Sequence, residues 1–107
     1  MNNITEHLTI TVEAVPEDTP VRGNALASGD DALDKKEEDR ILADLEWNEW
    51  AWCVAKVTAE FHGLTATEYI GGCSYESSLD FIYNSGYYDD MVETCLEDIK
   101  RQADAPC

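Results

Sequence analysis

Thirteen residues in the middle of the chain, EWAWCVAKVTAEF at 49–61, alternate without interruption. Ala51, Cys53, Ala55, Val57, Ala59 and Phe61 fall on one side, and Trp50, Trp52, Val54, Lys56, Thr58 and Glu60 on the other. Side chains of a strand point to opposite faces in turn, so this pattern predicts a long β-strand. The first face is built mostly of small residues, which lets a helix approach closely. His62-Gly63 reads as a hairpin turn and LTATEYI at 64–70 as the return strand, ended by Gly71-Gly72.

The rest of the chain supplies one more strand and the helices. In EHLTITVEAV at 6–15, Leu8, Ile10, Val12 and Ala14 share a face opposite His7, Thr9, Thr11 and Glu13, and Pro16 closes the segment. Residues 16–30 carry two prolines, two glycines, Asn24 and Ser28 and read as a long loop, a length that in small domains points to function or disorder. Residues 31–46 are strong helix formers, with Ser28, Asp30 and Asp31 as candidate caps. Ile41, Leu42 and Leu45 make the apolar stripe of this helix, with Leu33 at its edge, and Lys35 pairs with Asp39 one turn on. Residues 77–83 suggest a short helix with Ser77 and Asp80 in a capping-box arrangement, stopped by Asn84 and Gly86. Residues 88–102 form an amphipathic helix whose stripe is Tyr88, Met91, Val92, Cys95, Leu96 and Ile99.

These elements predict an α+β fold in the order β-α-β-β-α, a three-stranded antiparallel sheet with two helices packed on one face. A chain of 107 residues suits a single domain, 1–107, with frayed ends at about 1–5 and 103–107. Trp47, Trp50 and Trp52 are expected to give the core bulk.

Charge restricts the partners. Twenty-three Asp and Glu face seven Lys and Arg, a formal net charge of −16. Phosphates attract cations, so direct nucleic-acid binding and docking on an anionic membrane are both disfavoured. Solubility needs a net charge of only about 2–8. The excess repels itself and works against the compact state, which leaves two readings: functional use of the acidity, or solubility alone.

Four cysteines stand at 53, 73, 95 and 107, with no C-x-x-C pair and no zinc-site spacing to His7 or His62. The sequence has no secretory leader pattern and no apolar run of membrane-helix length. A cytoplasmic location with free thiols is therefore expected, with Cys53 and Cys95 in the core and Cys107 exposed.

Signatures of catalysis are missing: no nucleophile elbow, no phosphate-binding glycine loop, no H-E-x-x-H and no calcium loop. His62 reads as a turn residue and His7 as the outer side of a strand, so a Cys–His dyad is not expected. Asp30, Asp31 and Asp34 match no metal-loop spacing, and acids at a helix start suit the helix dipole. The chain is read as a non-enzyme without cofactor or metal. Arg22 is the only base in the first 34 residues and is expected to pair locally or anchor its loop to the sheet. Tyr69, Tyr75, Phe81, Tyr83, Tyr87 and Tyr88 cluster late in the chain, at the rim of a core or at an interface.

The sharpest acidic pattern lies on the last helix. Asp89, Asp90, Glu93 and Glu97 fall opposite the apolar stripe, and Asp89, Glu93 and Glu97 recur at i,i+4, about 6 Å apart. A DNA strand carries a charge per roughly 3.4 Å of axis. A row of carboxylates thus imitates part of a phosphate track, and these four residues are the candidate partner-binding site. The helix dipole explains Asp89 and Asp90 but not Glu93 and Glu97.

The segments PVRGNALASGDD, EWAWCVAKVTAEFHG, EYIGGCSYES and GYYDDM resemble those of small uncharacterised proteins carried by bacteriophages and other mobile elements of Proteobacteria, over about residues 8–100. Small acidic proteins of that setting include anti-restriction and anti-CRISPR inhibitors, some of which mimic DNA. The resemblance implies an inhibitor that binds a host protein or complex through its basic nucleic-acid-binding surface. The alternative is an accessory or structural phage protein whose acidity serves solubility only.

Overall fold

The middle strand of the sheet is the segment with the small-residue face. In the computed structural model, which describes residues 7–26 and 28–104, β2 (Cys53–Phe61) lies between β1 (Leu8–Val15) and β3 (Leu64–Cys73), antiparallel to both. Val12 faces Val57 and Ala14 faces Ala55 on one side, while Ala59 faces Ala66 on the other. His62 takes a positive φ of 49° at the β2–β3 turn, followed by Gly63 at 81°, so the dipeptide makes the hairpin that its residues predict.

The expected return strand continues past its predicted end. Between the Ala55–Ile70 and Cys53–Cys73 pairs, β3 uses one residue more than β2. That is a β-bulge at Gly71-Gly72, with Gly72 at φ +65°. A Cβ on Gly71 would stand 3.1 Å from the Glu17 carboxylate, so the bulge also lets the loop after β1 come close. At the other end, the predicted strand start is corrected. Glu49–Ala51 is a turn of 3-10 helix. Asn48 caps it by accepting the Trp50 N–H at 3.0 Å, and its own side-chain amide donates to the Tyr75 carbonyl at 3.0 Å.

Among the described residues three α-helices lie between and after the strands: α1 (Asp31–Leu45), α2 (Ser78–Asn84) and α3 (Tyr88–Asp104). The α+β class and the three-stranded antiparallel sheet are as predicted, but the order is β-α-β-β-α-α. Asp30 is the cap of α1 and accepts from the Ala32 and Leu33 N–H groups. Ser77 caps α2 by accepting from Asp80 N–H at 3.1 Å, and the Asp80 carboxylate accepts in return from Glu76 N–H at 2.9 Å. Gly86, at φ 81°, turns the chain from α2 into α3.

Among the described residues only one long helix covers the sheet. Met91, Cys95 and Ile99 of α3 pack on Cys53, Ala55, Val57, Ala59 and Ala66, and Phe81 of α2 fills the end of the same core beside Trp50. Phe81 is completely buried, stacked 5.6 Å from Trp50 and edge-on to Tyr75 at 5.3 Å. The second helix predicted for this face, α1, is not there. It lies beside the sheet, where Ile41 meets Val21 and Trp52 in a separate small core. Geometry explains the correction. Three strands at about 4.8 Å spacing make a sheet about 14 Å wide, room for one helix of about 10–12 Å diameter. The predicted α1 stripe breaks accordingly: Ile41 is buried, while Leu33, Leu42 and Leu45 are exposed. The resulting molecule is long, with a radius of gyration of 17.2 Å against about 13 Å for a compact chain of this length.

Three anchors hold the described part of the long loop. Val21 inserts beneath α1 and its carbonyl accepts from Asn24 and Ala25 N–H groups. Arg22 pairs with Glu38 and Asp39 of α1, so it anchors the loop to the helix rather than to the sheet. Trp52 donates its indole N–H to the Thr19 carbonyl at 2.7 Å. The predicted end segments 1–5 and 105–107, with Cys107, lie outside the described residues, whereas Ala103 and Asp104 belong to α3.

Candidate functional site

Helix α3 carries two opposed faces. Met91, Cys95 and Ile99 are buried, flanked by half-buried Tyr88, Val92 and Leu96, which is the predicted stripe. Because that stripe fixes the rotation of the helix on the sheet, Asp89, Asp90, Glu93 and Glu97 are all exposed. Asp89 and Asp90 occupy the first turn, where the dipole favours them. Glu93 and Glu97 lie one and two turns further along, so the row runs about 12 Å from Asp89 to Glu97.

The acidic groups of the two long helices differ in their partners. On α1, Lys35 reaches Asp39 at 3.3 Å, Arg40 pairs with both Glu37 and Asp44, and Arg22 reaches in from the loop to Glu38 and Asp39. These contacts hold the Asp39 carboxyl below the usual range, chiefly through hydrogen bonding by Arg22 and then Lys35. On α3 the one ion pair among the described residues joins Asp98 and Arg101 at 3.6 Å. None of the four candidate carboxylates meets a cation there.

An aromatic strip adjoins the start of this face. Phe81 is core and Tyr75 and Tyr88 pack on it half-buried, which meets the core-rim expectation. Tyr83 and Tyr87 do not: they are 78% and 50% exposed, beside Leu79 at 60%. Leu79 and Tyr83 are i,i+4 neighbours on α2, and Tyr87 directly precedes α3. Burial pushes the Tyr88 hydroxyl above its usual range, with the Asp89 charge adding to it.

The histidines stand apart from Cys53. The rings of His7 and His62 meet at a tilt of 50°, centroids 4.4 Å apart, at the hairpin end of the sheet. Cys53 opens β2 at the opposite end, about 30 Å away for nine residues of strand. Cys53, Cys73 and Cys95 are buried free thiols. Burial pushes the Cys53 thiol up to about 12, helped by the neighbouring Cys73. Among the described residues no group of three or more His, Cys, Asp or Glu is placed to hold a metal ion, and no helix is long and apolar enough to cross a membrane.

Two features escape the sequence reading. Glu38 is buried, 8% exposed, although its helix position looks solvent-facing. Trp47, expected in the core, is 75% exposed at the end of α1 and stands over a cleft. A signal for it exists in retrospect: Asn48, a residue favoured at N-caps, starts a new turn just after α1, so Trp47 falls between the two and off the helix stripe.

No known protein-family model matches the chain, and no curated protein or solved structure matches it.

Proposed function

We propose that the chain is a small acidic phage or mobile-element protein that works in the host cytoplasm by protein–protein binding. In this reading it inhibits a nucleic-acid-binding defence complex, of anti-CRISPR or anti-restriction type. Asp89, Asp90, Glu93 and Glu97 act as phosphate surrogates and occupy a basic surface that would otherwise take DNA or RNA. No cofactor and no catalytic step is involved.

One observation carries the reading. Glu37, Glu38, Asp39 and Asp44 of α1 are matched by Arg22, Lys35 and Arg40, whereas the four α3 acids are exposed on one face with no cation against them among the described residues. A repulsive row of this kind costs a few tenths of a kcal/mol per pair, which solubility alone does not require. Leu79, Tyr83 and Tyr87 beside it supply apolar contact area of the kind that protein interfaces favour.

The test is capture of partners from a bacterial lysate on immobilised protein, at low and at high salt, with and without added duplex DNA. The expected partner is retained at low salt, released at high salt and displaced by DNA. A partner that DNA does not displace, or capture unchanged when Glu93 and Glu97 are reversed to Lys, returns the acidity to the solubility reading.

A further inference from the structure

Trp47 stands over a cleft of about 480 Å³, lined by Ala14, Val15, Pro16, Leu45 and Trp52 and by the acids Glu17, Glu46 and Glu49. No Lys or Arg lines it. The volume falls in the range of ligand sites, and the walls are apolar and aromatic with few polar groups. The Glu17 carboxylate is engaged by the Thr19 and Gly72 N–H groups at 3.3 and 3.4 Å. Glu46 and Glu49 are exposed and their carboxylates have no hydrogen-bond or ion-pair partner among the described residues. The cleft thus offers an indole face that water covers, and carboxylates with open lone pairs at its rim.

We propose that this cleft is a receptor for an arginine side chain presented by a partner protein. A cation over an indole face is attracted by the ring quadrupole, and tryptophan is the strongest of the aromatic partners. A guanidinium suits the site better than an ammonium: it is planar, stacks on aromatic faces, sheds water more easily and donates to two acceptors at once. Glu46 and Glu49 supply those acceptors, and Leu45, Val15 and Pro16 pack against the aliphatic stem. An anionic ligand is opposed by the rim and by the net charge of −16. The site is distinct from the α3 row and stands whether or not that row imitates phosphate.

The experiment follows the three indole N–H signals in proton–nitrogen NMR, with the Trp47 signal assigned from Trp47→Phe. The probes are blocked Gly-Arg-Gly peptide and its citrulline counterpart, which keeps the shape but replaces one guanidinium nitrogen by a carbonyl oxygen and so loses the charge. The arginine peptide is expected to shift the Trp47 signal saturably, and the citrulline peptide to bind at least about tenfold more weakly. Glu46→Gln with Glu49→Gln is expected to weaken the arginine peptide by about tenfold, and Trp47→Ala, followed through backbone amides, by a similar factor. Trp47→Phe keeps a ring and loses less. Trp47 is exposed, so these variants keep the fold, as a thermal melt verifies. Glu93→Lys with Glu97→Lys leaves arginine-peptide binding within about twofold, which separates this site from the α3 reading. The proposal is overturned by equal binding of the citrulline peptide, by full affinity in Trp47→Ala, or by an equal loss in the α3 reversal, which would mean non-specific attraction.

Discussion

Arg22 reaches across sixteen residues of sequence to Glu38, whose carboxylate takes its Nη1–H at 3.2 Å while also accepting the Gly23 backbone N–H at 2.7 Å. Glu38 is therefore the post to which the loop is tied, and it explains how a buried carboxylate is tolerated on α1. Glu38→Ala removes the charge-assisted bond to Gly23 and leaves that N–H without its partner. A loss of about 2 kcal/mol in urea unfolding is expected. Asp39→Ala, on the exposed side of the same cluster, is expected to change the midpoint far less. Similar midpoints for the two variants would show that the loop is held by Val21 and Trp52 instead.

The Ala55 side chain has no exposed surface, and its register partners are Ala14 and Ile70. Small residues here let α3 settle directly on the strand. Ala55→Leu adds volume where neither neighbouring strand nor helix can yield, and is expected to cost about 1–3 kcal/mol. A chemical denaturation series on the variant checks it; an unchanged midpoint would place α3 further from β2 than the burial implies.

Cys53 makes the protein sensitive to alkali in a defined direction. Burial raises its thiol from an ordinary 9.0 to about 12. The unfolded chain then releases a proton between those values that the folded chain keeps. The contribution to stability is complete below the unfolded value and is lost as pH rises through the folded one. Cys73, Cys95, Tyr75 and Tyr88 are shifted upward by burial as well and add in the same direction. Urea midpoints are thus expected to fall from about pH 8 to about pH 10.5, and Cys53→Ala to fall less steeply. At neutral pH, thiol alkylation of the folded protein is expected to be slow and to accelerate on adding urea. Reducing agent is expected to leave the melting temperature unchanged, since these thiols are free.

Much of this architecture is legible from periodicity. The alternation of 53–61 and the stripe Met91–Cys95–Ile99 each fix an element and its buried side, because a strand or helix with one apolar face has a single sensible orientation. The acidic row on α3 is legible for the same reason, as the complement of that stripe. What periodicity does not carry is competition for space. Leu42 and Leu45 look like core residues on the helix wheel, yet α3 already fills the width of the sheet. Nor does it carry anchoring over distance: the Trp52 bond to Thr19 spans 33 residues, and it is such bonds that place the loop under α1. Trp47 is hidden from sequence reasoning by both effects, since a large apolar residue is by default assigned inward.

If the α3 row meets a basic partner, its contacts are exposed and Coulombic, and three consequences follow together. Binding weakens steeply with salt, as the Debye length falls from about 10 Å at 0.1 M to about 3 Å at 1 M. Glu93→Lys with Glu97→Lys mainly slows association, because charge complementarity acts on encounter more than on the docked state. The fold survives and gains a few tenths of a kcal/mol, since both residues are exposed and the reversal relieves like charges at i,i+4. The control must change net charge equally elsewhere. Asp18 and Glu60 are exposed, outside α1, α3 and the Trp47 cleft, and reversing both also moves the net charge from −16 to −12, two residues at two units each. Surface plasmon resonance on the captured partner, run beside thermal melts, is expected to show a reduced association rate for the α3 pair and a near wild-type rate for the control. Equal slowing by both pairs would mean that the partner reads total charge and not the face that Glu93 and Glu97 define.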